Sequence, residues 1–141
     1  MKNSLILCSI LLCIGCAPEE DYTGIHLINN SNDTVYWYCN QDTYPDTIGA
    51  IFNIHDINGY IAYPNKRDLF YHSYIAPEDT VMIFIYSDSV FKKHTLQQIY
   101  EGYMVLARYD LSYYDLEYLN YKISYPPSEK MMGMKMYTPK K

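Results

Sequence analysis

Thr80-Val81-Met82-Ile83-Phe84-Ile85-Tyr86 is the stretch on which the fold turns, because it is apolar on both alternating faces and rich in β-branched residues. A strand with one wet face alternates polar and apolar side chains, so a run lacking that alternation needs cover above and below. It reads as a central, doubly covered strand. Upstream, Ile25-His26-Leu27-Ile28 and Thr34-Val35-Tyr36-Trp37-Tyr38-Cys39 flank Asn29-Asn30-Ser31-Asn32-Asp33, a polar block of turn-tolerant residues. The pattern predicts a β-hairpin. Alternation in its second arm puts Val35, Trp37 and Cys39 on the core face and Tyr36 and Tyr38 on the other.

Downstream, Ser87-Asp88-Ser89 predicts a turn, and Thr95 with Gln98 has capping-box spacing ahead of a short amphipathic helix carrying Leu96, Ile99, Tyr100 and Tyr103. Tyr103 to Tyr109 reads as extended. Ser112-Tyr113-Tyr114-Asp115 starts a second short helix with Leu116 and Leu119 inward and Asn120 as its stop. Tyr121-Lys122-Ile123-Ser124-Tyr125 alternates as a strand and ends at Pro126-Pro127. Between Gln41 and Glu78, the prolines and glycines predict loops and short edge strands, with apolar pieces at Ile48 to Ile54 and Tyr60 to Tyr63. The sum is a mostly β fold, a β-sandwich-like domain with two short inserted helices; an α+β sheet is the alternative.

The chain opens with one positive charge at Lys2 and an apolar stretch from Leu5 to Ile14, the pattern of a secretory signal peptide. Ten residues are too few to cross the hydrocarbon, which needs roughly 20. The stretch ends at Cys13-Ile14-Gly15-Cys16, which resembles the lipobox of bacterial lipoproteins, with Cys13 where Leu is usual. Neither Cys8 nor Cys13 follows a small residue, so Cys16 is the expected lipid attachment point. Each buried methylene contributes about 0.8 kcal/mol and one chain holds only marginally. The two or three chains that the resemblance implies would make membrane attachment lasting. Residues 1-15 are then the signal and 16-23 an acidic tether, Ala17-Pro18-Glu19-Glu20-Asp21 at its heart. That cluster looks like the acidic export signal that carries Bacteroidetes lipoproteins to the cell surface; a solvated linker on the periplasmic leaflet is the alternative.

Cleavage leaves 141 − 15 = 126 residues, enough for one domain with a real core. Residues 24-128 form the single β-rich domain and 129-141 a Met- and Lys-rich strand or tail. Lys2 leaves with the signal, so 10 Lys and Arg face 16 Asp and Glu, and from Ala17 to Ser128 six bases face fifteen acids. An acidic body is unsuited to nucleic acid, which wants a basic face. Two cysteines go with the signal and one is acylated, so Cys39 has no disulfide partner and reads as a small buried apolar residue.

Arg108-Tyr109-Asp110-Leu111-Ser112, Asp115-Leu116, Leu119-Asn120 and Tyr125-Pro126-Pro127 resemble small Bacteroidetes lipoproteins of uncharacterised function. The likeness also takes in Asp79-Thr80-Val81 and the Met-rich end. It implies compartment and source rather than an activity.

Chemistry is sparse. His26, His55, His72 and His94 are widely spaced with no zinc pattern, and there is no G-x-S-x-G, phosphate loop or H-E-x-x-H. Asp110 and Asp115 read as turn and helix-cap residues, Asp42 to Asp46 lacks a calcium-loop register, and Met131, Met132, Met134 and Met136 lack the His or Cys that copper would favour. No cofactor, metal or catalytic residue is expected. Eighteen tyrosines are the outlier. Tyr36, Tyr38, Tyr60 and Tyr63 are the candidate contacts for a protein or glycan ligand, since such rings stack on sugars and bury well at interfaces.

Overall fold

A computed structural model describes residues 24–41, 44, 60–71 and 74–138. The signal peptide, Cys16, the tether, Asp42, Asp46, the Ile48 to Ile54 piece, His55, His72 and the last three residues lie outside them.

The described chain is mostly β, with two sheets and three short α-helices. Strands β1 (Gly24–Asn29), β4 (Lys66–Tyr71) and β7 (Lys122–Tyr125) form one sheet in the order β4-β1-β7. The other sheet runs β3-β2-β5-β6-β8, from β3 (Ile61–Ala62), β2 (Val35–Asn40), β5 (Thr80–Ser87), β6 (Ala107–Ser112) and β8 (Lys135–Tyr137). Among the described residues only the β1–β7 pairing is parallel.

As its two-sided apolar run requires, β5 lies in the middle of the larger sheet. Val81, Ile83 and Ile85 pack with Ile25, Leu27 and Ile123 of the smaller sheet and with Trp37, Tyr109 and Leu116. Met82, Phe84 and Tyr86 form a second buried layer with Ile99 and Val105. That layer lies under α1 (Asp88–Lys93) and α2 (Leu96–Glu101), whose Phe91 and Ile99 pack into it. Capping boxes start α2, at Thr95 and Gln98, and α3 (Tyr113–Tyr118), at Ser112 and Asp115. Leu116 and Leu119 are buried and Asn120 turns the chain with φ 49°.

Three expectations are corrected. The segments either side of Asn30 are not a hairpin, because β1 and β2 belong to different sheets. Their connection is an arch, held by the fully buried Asn29. Its Nδ2 donates to the carbonyls of Asp33 (2.7 Å) and Ala62 (2.8 Å), while Oδ1 accepts from the Ser31 amide (3.0 Å) and hydroxyl (2.7 Å). With the Asn30 amide donating to the Tyr125 carbonyl at 2.7 Å, these bonds tie the link to strands of both sheets, so the chain crosses the core edge instead of folding back. The helices number three rather than two, since the Ser87 to Ser89 turn opens α1. Finally, β4 is a six-residue strand where loops and short edges are expected; its run of Lys66, Arg67 and Asp68 carries no apolar alternation.

Of the tail, Lys135–Tyr137 is a closing strand along β6. Gly133, at φ 94°, supplies the left-handed turn before it. Met131 is buried and Met132 is 74% exposed, so the thioethers point apart.

Asn29→Ala should lower unfolding stability by about 2–3 kcal/mol, because it strands the Ala62 carbonyl in the core. Urea titration of the variant checks this, and an unchanged midpoint would show that the arch does not depend on that side chain.

Candidate functional site

The four tyrosines do not share a surface. Tyr36 and Tyr38 lie on the face of β2 opposite the main core, as alternation predicts, but that face is covered. The Tyr36 ring sits 4.6 Å from Phe91 of α1, and both residues are half-buried against the second layer. Tyr60 stacks beside Phe70 (5.0 Å) and Trp37 (6.3 Å), closing the gap between sheets. Across the same gap the Trp37 Nε1 donates to the Asp68 carboxylate at 2.6 Å. Among the four, only Tyr63 is largely exposed, at 58%. The outward aromatics lie elsewhere: Tyr114 and Tyr118 stand one turn apart on α3, 66% and 65% exposed. Their helical phase opposite Leu116 was the available signal.

Asp110 is not a turn residue. It lies in β6 on the outer face of the larger sheet, where Arg108 Nε and Nη2 grip its two oxygens at 2.6 and 3.0 Å. Both side chains are buried, and Lys135 Nζ stands 3.5 Å from the same carboxylate. The guanidinium lies over the rings of Phe84 (5.4 Å) and Tyr137 (5.5 Å). Burial works against the Arg108 charge, yet hydrogen bonds to Asp110 and Tyr103 more than offset it and raise the pKa. Lys135 also donates to the Tyr44 hydroxyl at 2.8 Å. With two cations on one carboxylate, Asp110 is held in ion pairs, and the cluster fastens β8 and Tyr44 to the sheet. Asp115, by contrast, caps α3 as expected, its Oδ2 accepting from the Ser112 amide at 2.9 Å.

Asp110→Ala should cost about 3–5 kcal/mol by leaving Arg108 buried and unpaired, whereas R108M/D110L should cost much less. Urea denaturation of both checks this; equal losses would show that packing rather than charge pairing sets the effect.

At the arch end of the sandwich a cleft of about 320 Å³ opens between the connection and the start of α1, lined by Asn32, Asp33, Thr34, Pro64, Ser87, Asp88 and Ser89. Backbone pairing builds it: Val35 opposes Ser87, and the Asp88 amide donates to the Thr34 carbonyl at 3.3 Å. The Ser87 and Ser89 hydroxyls are 3.0 Å apart, and Asp88 is ion-paired with Lys92. Neither Asp33 nor the other cleft residues stand out in sequence, because they read as ordinary turn residues.

Cys39 is buried on the core face of β2, and burial pushes its thiol pKa well up. Among the described residues no three His, Cys, Asp or Glu side chains converge as metal ligands. His26 titrates below its usual value because of burial and the nearby Arg67 and Lys122 charges. No helix among the described residues is long and apolar enough to cross a membrane. No protein family, curated protein or solved structure matches the chain.

Maleimide should leave Cys39 unmodified in the folded protein and react with it once urea unfolds the domain. Mass spectrometry of the mature protein would read one added label under denaturing conditions only; labelling of the folded state would place the thiol outside the core.

Proposed function

We propose that this chain is a bacterial envelope lipoprotein, held to a membrane through lipid on Cys16, whose β domain is a non-enzymatic binding or accessory module. The observation that carries this reading is the Cys13-Ile14-Gly15-Cys16 sequence closing an apolar run that is too short to span a bilayer. The likeness of Arg108 to Ser112 and Tyr125 to Pro127 to small Bacteroidetes lipoproteins supports the same compartment, and the acidic Glu19-Glu20-Asp21 supports display on the outer surface.

The ligand is a protein or a glycan. Tyr36, Tyr38 and Tyr60 contribute to packing, which shifts the recognition surface to Tyr63, to the Tyr114–Tyr118 pair and to the polar cleft. Cys16→Ser should abolish incorporation of labelled palmitate and move the protein from the membrane to the soluble fraction. Fractionation and radiolabelling check this, and a variant that still carries palmitate would overturn the anchor. Protease treatment of intact cells should remove the domain; its survival would place it on the periplasmic leaflet.

A further inference from the structure

The cleft at the arch combines two kinds of polar group within one small cavity. Asp33 and Asp88 bring carboxylate acceptors, while Thr34, Ser87 and Ser89 bring hydroxyls that both donate and accept, and Asn32 brings an amide with the same double capacity. A simple cation would use only the acceptors. An anion would meet the Asp33 carboxylate beside Asp88, whose charge Lys92 balances, and a body with six bases against fifteen acids between Ala17 and Ser128. A ligand that uses the whole wall carries donors and acceptors on adjoining atoms, has no charge, and has an apolar edge for Pro64. Those are the properties of a neutral sugar ring, with its neighbouring hydroxyls and C–H face.

Size agrees with chemistry. At about 320 Å³ the cleft lies at the lower end of the ~300–1,000 Å³ typical of small-molecule sites, which suits one sugar residue rather than a long chain. Tyr63, next to Pro64 in the chain and 58% exposed, is placed to extend contact beyond that residue. Orientation agrees as well. The domain is entered at Gly24 and the arch follows Asn29, so six residues of β1 at roughly 3.3 Å each carry the cleft about 20 Å from the entry point.

From these features we infer that the cleft binds a neutral sugar residue of a glycan, at the end of the domain remote from its tether. The orientation rests on the anchoring proposed above; the chemistry of the cleft does not.

The test uses the full-length mature lipoprotein in lipid nanodiscs, with D-glucose, D-galactose, D-mannose and N-acetyl-D-glucosamine as probes and heparin and Ca²⁺ as comparisons. Saturation-transfer NMR should show binding of at least one neutral sugar and none of heparin. D33N/D88N should weaken that binding tenfold or more. Ser89→Trp, at an exposed position of α1, should abolish it by filling the cleft while leaving the urea unfolding midpoint unchanged. Binding of Ca²⁺ alone, no binding of any of the four sugars, or sugar binding that survives both variants would overturn the inference. Cys16→Ser separates the two proposals, since a variant that loses its membrane but keeps its sugar leaves the cleft standing, whereas unmutated protein that carries palmitate but binds no sugar leaves only the anchor.

Discussion

Strand β5 has no face that water can wet. Val81, Ile83 and Ile85 point one way and Met82, Phe84 and Tyr86 the other, and all are almost completely buried. Burying such side chains is worth roughly 1.5–3 kcal/mol each. That demand dictates the three layers: the small sheet with Ile25, Leu27 and Ile123 on one side, and the pair of short helices with Phe91 and Ile99 on the other. Within its own sheet β2 and β6 flank β5, and the smaller sheet and the α1–α2 pair cover its two faces.

The arch at Asn29 follows from the same demand. Had β1 paired with β2, both would lie in one sheet and the inner face of β5 would lose Ile25 and Leu27. Crossing between sheets exposes a five-residue link to the core edge, and the Asn29 amide, with the Tyr125 carbonyl and the Asp88 amide, supplies its partners. The cleft is a by-product of that crossing, since the link and the start of α1 cannot close on each other without burying Asp33 and Asp88.

Much of this was legible in sequence where the signal was local. The capping boxes at Thr95 and Ser112, the inward Leu116 and Leu119, and the uninterrupted apolar β5 each name their own structure. What could not be read was partnership at a distance. A polar link of Asn and Ser serves a hairpin or an arch equally well, and the choice lies with the Ala62 carbonyl, 33 positions from Asn29. Alternation assigned Tyr36 and Tyr38 to the correct face, but not the cover that α1 lays over it. Asp110 reads as a turn residue, and its pairing with Arg108 in β6 shows only once β8 returns beside them. The cleft residues gave no signal at all, because recognition there lies in their convergence rather than in any one of them.

Among the described residues the larger sheet ends in strands of two and three residues, β3 and β8, and the second of these holds Lys135 against Asp110. Long, flat, uncharged rims are templates on which other chains polymerise. A protein confined to a membrane surface meets its own copies far more often than one diffusing in three dimensions. Rims this short, one of them guarded by a lysine, offer other copies little to zip onto, and on the anchoring proposed above would keep crowded neighbours as separate molecules.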